Sequence, residues 1–416
     1  MRLSQFLYKS IKSNSNKEDV SKNSQLLVKA GFVNCLMSGV YSYLPMGLRV
    51  LEKIKNIVRE EMNKVCGQEL LMPTLTPKSI WETTGRINTI DVLFNLKGCN
   101  DKELILTPTH EEVITPLIQN FVNSYKDLPL SVYQIQTKFR NELRAKSGIL
   151  RGREFIMKDM YSFHTTKEDL DKYYENVIVA YKNVFDRCGI GDRTILTYAS
   201  GGAFSKYSHE FQTITNSGED KIYKINNKLA LNEEIIDDEE VLKEFNIKDK
   251  NDLETAKTIE TGNIFKLGTK YADAFKFKFT DKDGKMQNPI MGCYGIGITR
   301  LMGTIVECLA DDKGLVWPDE VAPFKIHLIS LGLKDENLAK CDEIYNKLIS
   351  LGFDILYDDR NVGNGEKLGD SDLIGIPHRL VVSQKTLAEN KIEYKSRRGS
   401  DSKLLNLEEI LNLLKH

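Results

Sequence analysis

The residues best suited to do chemistry together lie between positions 138 and 155. The segment KFRNELRAKSGILRGREF places Arg140 and Glu142 two apart, then a basic glycine-containing loop, then Arg151-Gly-Arg-Glu-Phe155. An arginine forks onto phosphate or carboxylate oxygens, a glutamate accepts from an exocyclic amine, and a phenylalanine stacks on a base. Those are the parts needed to grip a nucleoside triphosphate, although the segment alone also suits a hairpin with a solvated charged loop. A second arginine, Arg300, closes the glycine-rich run GCYGIGITR. Small residues there let a substrate approach the backbone, Thr299 is expected to cap the helix that follows, and Arg300 offers a second counter-charge for a phosphate tail. A free-standing GxGxxR more often marks a tight turn, so its weight comes from the pairing with Arg140.

Elements must hold these groups in place. In SVYQIQTKF, Tyr133, Ile135, Thr137 and Phe139 alternate with Gln134, Gln136 and Lys138, the period of a strand. Arg140 therefore leaves a strand end, and Phe155 sits on the return strand. Upstream, GLRVLEKIKNIVREEMNKVCGQELLMP places Leu48, Leu51, Ile54, Ile57, Val58, Met62 and Val65 at helical spacing before a short strand ending at Pro73. Such a helix needs a partner surface, which is more often the core than another subunit.

This order of helix-strand-proline, FRxE with a later arginine and phenylalanine, and GxGxxR resembles motifs 1, 2 and 3 of the class II aminoacyl-tRNA synthetases. Thr107-Pro-Thr-His-Glu-Glu112, Lys158-Asp-Met-Tyr-Ser-Phe-His164, Ser208-His-Glu-Phe-Gln212 and ETGNIFKLGTKYADAF narrow the likeness to the bacterial-type prolyl-tRNA synthetases. It covers nearly the whole chain. The resemblance implies an α/β protein: an α+β catalytic domain built on the class II antiparallel sheet flanked by helices, plus a C-terminal α/β anticodon-binding domain with a mixed sheet. It implies ATP and Mg²⁺ as cofactors, L-proline and tRNA(Pro) as substrates, a homodimer, and a cytoplasmic location.

Residue roles carry over position by position. Arg140 is expected to bridge the amino-acid carboxylate and the α-phosphate, Arg300 to meet the γ-phosphate, and Arg151 the β- or γ-phosphate. Glu142 reads the adenine amine and Phe155 stacks under the ring, while Gln212 falls where the family contacts ATP. Thr109 and Glu111 match the ammonium contacts, and Phe163, His209 and Cys293 the apolar wall of a proline pocket. Two basic spots, Arg360 with Lys367, and Lys395 with Arg397 and Arg398, are candidates for tRNA phosphates or guanine edges. Without the resemblance they read as a solvated charged face. Two stretches depart from the common pattern: Gly201-Gly202 is followed by Ala-Phe-Ser-Lys-Tyr before Ser208, and Gly363-Asn364-Gly365 stands where arginine-proline-glycine is frequent.

Composition agrees. The chain has 416 residues, is 41% hydrophobic and carries a formal net charge of -1, so a nucleic-acid surface must be a local patch. Seven cysteines without a CxxC argue against a disulfide framework and a tetrahedral zinc site. The basic start MRLSQFLYKSIK can be read as an organelle transit peptide, but it is similar to the opening of mature bacterial enzymes of this type, and no targeting signal is expected. Expected boundaries are 1-222 for the first part of the catalytic domain, 223-259 for a short acidic and lysine-rich segment, 260-322 for the second part, and 323-416 for the anticodon-binding domain. Typical bacterial members place a large editing insertion at that segment, and some tens of residues are too few for one. The chain is thus expected to be a short form without editing of alanyl-tRNA in cis. Among rivals, a threonyl or seryl enzyme shares the three motifs, and a non-catalytic synthetase-like accessory subunit would usually have lost an arginine or the FRxE carboxylate.

Overall fold

The computed structural model describes residues 1–11, 21–145, 147–202, 206–332 and 334–414. The chain divides into two compact units, one of Met1–Leu36, Tyr41–Lys53 and Ile305–His416, the other of Met37–Val40 and Ile54–Thr304.

In the second unit, strands Leu130–Phe139 and Glu154–His164 pair antiparallel, and Glu154–His164 in turn pairs with Ile290–Gly297. Glu254–Gly268 then joins Ile290–Gly297 to Tyr207–Ile214 and Asp220–Lys224, all antiparallel. The complete sheet has nine strands. Its flanks differ from the expected antiparallel pattern: Gln68–Glu69 pairs parallel with Leu130–Phe139, and Leu229–Asn232 pairs parallel with Thr194–Ser200. The second exception arises inside the acidic segment. Strands Asp220–Lys224 and Glu254–Gly268 run across both of its expected borders, and the segment builds a small core from Tyr223, Leu231, Ile235, Ile236 and Val241. It is an internal part of the sheet: Leu229–Asn232 lies between Thr194–Ser200 and Asp220–Lys224, and Asp220–Lys224 in turn pairs with Glu254–Gly268.

One sheet face lies under the helix Lys167–Arg187, whose Leu170, Tyr174, Val177, Tyr181 and Val184 are buried at helical spacing. Thr166 caps it, accepting from the Asp169 amide at 3.2 Å. Lys158 points to this face and is fully buried, donating to the Tyr181 hydroxyl at 2.7 Å and the Tyr294 carbonyl at 2.9 Å. Burial pulls its pKa down to about 7. Ser162, His164 and Asp169 are chained here at 2.9 and 2.8 Å, but Ser162 is buried against the Tyr294 hydroxyl, so this chain braces the sheet instead of presenting a nucleophile. The opposite face carries Asp159, Tyr161, Phe163 and Cys293, and Tyr161, Phe163 and Cys293 share a core with Ile114, Tyr271 and Phe277.

The amphipathic helix runs Pro45–Lys64, and Leu51, Ile54, Ile57, Val58 and Met62 are buried as their spacing predicts. Leu48 is instead 48% exposed, and Val65 lies just past the helix end.

The first unit contains a five-stranded sheet in which Ile326–Leu331 pairs parallel with Ile355–Asp358 and His378–Ser383. Ile392–Ser396 adds antiparallel, and Ser402–Leu405 extends it antiparallel again. The mixed sheet matches the expectation, and its last strand, SKLL, is short and mostly exposed. Helices Asp335–Ser350 and Leu407–Leu414 are among the elements around this sheet, and Cys341, Tyr345, Leu348, Ile410 and Leu414 join its core.

Candidate active site

Arg140 follows the end of strand Leu130–Phe139, and its backbone N–H donates to the Arg153 carbonyl at 2.8 Å. Its guanidinium lies 5.1 Å from the centroid of Phe155, which the strand register sets opposite Lys138. Burial and the nearby Arg300 cation both depress its pKa, while Glu260, Glu142 and Glu111 pull the other way. The structure therefore sets Arg140 on Phe155 and within electrostatic reach of Arg300, Glu142 and Glu111.

Glu142 accepts from Arg151 Nε at 3.0 Å and Nη2 at 2.9 Å, so the two expected nucleotide contacts hold each other in this state. The base of their loop is fastened by a turn from elsewhere in the chain. Gly39 O accepts from Arg153 N at 2.7 Å and Ser38 O from Arg153 Nη1 at 2.8 Å. Gly39 has φ 77°, and a Cβ there would stand 2.5 Å from Ala145 Cβ, so both conformation and space demand glycine. Nothing in the 138–155 segment announces that clasp.

Arg300 donates from Nε to the Leu150 carbonyl at 3.0 Å and from Nη1 to Glu260 Oε2 at 2.9 Å. The helix here begins at Ile298, so Thr299 lies inside its first turn and not at the cap, with a buried hydroxyl that makes no hydrogen bond. Nor does Gly292 leave room for a substrate: a Cβ there would meet the Tyr294 hydroxyl at 2.3 Å and Ser162 Oγ at 2.8 Å. Beside Glu260 stand Gln212 and Glu210. Gln212 Nε2 donates to Glu210 Oε2 at 2.9 Å and Asp220 Oδ2 at 3.1 Å. Burial first, then Glu260, pushes Glu210 up to about 8, and burial also raises Asp220. These carboxylates are half-buried and Glu260 is already paired with Arg300, and among the described residues no three His, Cys, Asp or Glu side chains converge as a ready-made metal site.

At the amino-acid end, fully buried Glu111 accepts from Thr109 Oγ1 at 2.6 Å, Arg86 Nη1 at 3.1 Å and Cys293 Sγ at 3.3 Å. Burial and the Glu111 charge raise the Cys293 pKa, so it stays a thiol and donates. Phe163 is fully buried in the same core as Cys293. His209 is not brought to them. It lies on the helix-covered face, its Nδ1 2.9 Å from the Tyr174 hydroxyl, because alternation along Tyr207–Ile214 sends Glu210 and Gln212 to the site and His209 away. Of the odd stretch before Ser208, residues 203–205 lie outside the described residues; Ser208 itself donates to the Ser200 carbonyl at 2.9 Å.

Behind Glu111 runs a buried polar network that the sequence reading passed over. Asp159 faces Lys138 Nζ at 2.6 Å and accepts from Gln134 Nε2 and the Tyr161 hydroxyl, each at 3.0 Å. Tyr161 in turn accepts from the His110 N–H at 3.0 Å. Burial, then Lys138, lowers the His110 pKa to about 4, leaving the ring neutral. The polar side of the SVYQIQTKF alternation was its signal: that side faces the site instead of solvent.

In the first unit, Arg360 is committed to Asp358 at 2.7 Å and Asp370 at 2.9 Å. Buried Lys367 donates to Ser330 O, Ser330 Oγ and Asp358 O. Arg397 makes two bonds of 2.7 Å to Asp311. These three are engaged within the fold. Lys395 and exposed Arg398 line a pocket of about 220 Å³ together with Arg379, Arg397 and Lys313.

Comparison with known proteins adds independent findings. Residues 94–308 match the class II tRNA synthetase core domain (G, H, P, S and T), and residues 321–416 match an anticodon binding domain. A proline–tRNA ligase of Anaplasma phagocytophilum (strain HZ) is 39% identical over 427 residues, covering 99% of both chains. One from Legionella pneumophila (strain Lens) is 33% identical over 567 residues, covering 100% of this chain and 99% of the relative. Among solved structures, Giardia lamblia prolyl-tRNA synthetase in complex with prolyl-adenylate superposes with a TM-score of 0.77 at 23% identity, over 93% of this chain and 74% of that one, a likeness of fold. Among the described residues, no helix is long and apolar enough to cross a membrane.

Proposed function

This chain belongs to the prolyl-tRNA synthetases of the class II synthetase family, and we infer that the groups gathered around Arg140 carry their two-step reaction here. The enzyme uses ATP to activate L-proline as prolyl-adenylate and transfers the prolyl group to the 3' end of tRNA(Pro). One observation supports the site assignment above the rest: a partly buried arginine stacked on Phe155 stands within reach of a second arginine and of a buried carboxylate. An amino acid carries its carboxylate and its ammonium one carbon apart, and Arg140 and Glu111 offer one counter-charge for each.

In the first step the carboxylate oxygen of proline attacks the α-phosphorus and pyrophosphate leaves with the bonding pair. No protein nucleophile is needed, so the residues align and neutralise. Arg140 bridges the carboxylate and α-phosphate, Arg300 takes the γ-phosphate, and Phe155 stacks under adenine. Glu142 accepts from the adenine amine once Arg151 leaves it for the outer phosphates. Mg²⁺ would neutralise phosphate charge there, held chiefly by phosphate oxygens and water, with Glu210 and Glu260 as the nearby carboxylates. Thr109 and Glu111 hold the ammonium, with Cys293 and Phe163 as the apolar wall. The tRNA phosphates fall to Lys395 and Arg398, the enzyme works in the cytoplasm, and it acts as a homodimer. Crosslinking of tRNA to the 395–398 pocket, light scattering of the active enzyme, and fractionation of its native cell check these three.

Editing in cis is absent from this reading. The Legionella alignment runs over 567 positions against 416 in this chain, and the excess belongs to the relative, whereas the Anaplasma alignment needs only 427. Residues 223–259 are occupied in completing the sheet. Alanine loses only a methylene-scale share of the pocket's binding energy, about 1–3 kcal/mol. Pyrophosphate exchange run in parallel with proline, alanine, serine and threonine is expected to be strong with proline and measurable with alanine, and the enzyme to leave alanyl-tRNA intact. Exchange with none of the four would return the accessory-subunit reading, and hydrolysis of alanyl-tRNA would remove the claim about editing.

A further inference from the structure

Three buried charges meet behind the amino-acid end of the site. Arg86 follows Gly85, whose φ of 70° turns the chain with open space around it, and is itself only 4% exposed. Its Nη1 donates to Glu111 Oε2 at 3.1 Å and to both carboxylate oxygens of Glu112 at 3.0 Å. The Trp81 and Tyr271 ring centroids lie 5.9 and 5.7 Å from the guanidinium, and Thr84 Oγ1 donates to Glu112 Oε1 at 2.9 Å. Glu111 and Glu112 are both fully buried.

We propose that Arg86 and Glu112 are positioning residues for the substrate ammonium: Arg86 holds the Glu111 carboxylate and fixes its rotamer, and Glu112 offsets Arg86 so that the trio retains one negative charge for proline to neutralise. This rests on Glu111 being the ammonium acceptor. Two carboxylates and one guanidinium sum to a single negative charge in a dry place, where an unpaired charge is strongly disfavoured. Charged and titratable neighbours do not cancel it. Lys138 and Asp159 are paired with each other, His110 is neutral, Cys293, Tyr161 and Tyr271 are held protonated, and the Arg140 guanidinium lies over the Phe155 ring. Acceptor capacity says where the cation goes. Both oxygens of Glu112 and Oε2 of Glu111 are taken, whereas Glu111 Oε1 has only the weak thiol donor. The raised pKa of Glu112, set by burial and by Glu111, agrees with a pair that has one negative charge too many.

A merely structural clamp would predict loss of fold or of all activity together. The test measures the KM for proline and for ATP in pyrophosphate exchange between about pH 6 and 9. For Arg86→Gln, the KM for proline is expected to rise about tenfold or more with that for ATP within about twofold. Without Arg86 two adjacent buried carboxylates cannot both carry their charge, so one proton is held between them until the pH is raised, and the defect should shrink as pH rises. Arg86→Lys should recover part of the loss. The double variant Arg86→Gln/Glu112→Gln should bind proline better than Arg86→Gln alone, because one carboxylate remains and ionises freely. A pH-independent loss shared by proline and ATP, or a double variant worse than the single one, overturns the proposal. Should Arg86→Gln not fold, Glu112→Gln decides, since cancelling the spare charge must raise the KM for proline severalfold. Glu111→Gln separates the two levels: an unchanged KM for proline removes the acceptor reading itself, whereas a loss there with Arg86→Gln unaffected removes this inference alone.

Discussion

Arg140→Ala is expected to lower kcat/KM for proline-dependent pyrophosphate exchange by about 10²–10³-fold while the folded protein melts close to the parent. Both halves follow from its surroundings. Among the described residues the guanidinium has no ion-pair partner within salt-bridge distance; it rests on Phe155, and burial together with Arg300 makes its charge costly. Removing it relieves that cost, so stability changes little. In the reaction the same charge meets the proline carboxylate and the α-phosphate, whose negative charge must approach for the bond to form, and nothing replaces it. Arg140→Lys is expected to restore only a small part, because an ammonium is a point charge and cannot present two parallel N–H bonds to two oxygens. The readout is labelled pyrophosphate exchange at saturating ATP, with thermal melting as control. A variant that keeps its kcat/KM, or loses it only by unfolding, would take Arg140 out of the chemistry.

That arginine was legible in the sequence because strand period and motif spacing pointed the same way. The sheet alternation placed Arg140 at a strand end, and the register then put Phe155 beneath it. Other parts were not legible, for physical reasons that differ. The period-two pattern of SVYQIQTKF was visible, but alternation cannot say whether a polar face meets water or a buried site, and fully buried Lys138 shows it was the second. His209 sits in a motif beside residues that do face the site, yet a strand sends neighbours to opposite faces, and the motif spans both. Arg86 is a single arginine after a glycine, twenty-five residues from Glu111 in the chain. Only tertiary folding brings that pair together. Arg360 and Lys367 looked like a surface patch because clustered cations usually are, whereas Asp358, Asp370 and Ser330 had already claimed them.

The second large effect concerns stability. Asp159→Ala is expected to cost about 3–5 kcal/mol, because it leaves Lys138 charged, buried and without its partner. Lys138 Nζ lies 2.6 Å from the carboxylate, Gln134 and Tyr161 supply two further hydrogen bonds, and both charged residues are at most 2% exposed. Burial alone would raise the Asp159 pKa, but Lys138 and His110 outweigh it and hold the group below the usual carboxylate value. A carboxylate depressed on folding contributes stability that is complete above its unfolded pKa, near 3.9, and is lost as pH falls through the lower folded value. His110 acts earlier: with its folded pKa at about 4, the unfolded state takes up the proton first, so stability declines as pH drops below about 6.5. Urea unfolding of the parent should therefore show a loss from pH 6.5 downward and a further one in acid, and Asp159→Ala should lack its share of the second. A double change, Lys138→Met with Asp159→Leu, should recover much of the stability, since a well-packed apolar pair often matches a buried ion pair. It should not recover activity, because Tyr161 and through it the His110 backbone next to Glu111 are held by the Asp159 carboxylate. Stability returning without exchange activity would show that the pair is kept for the site it braces; a return of both would show that Glu111 is held well enough without it.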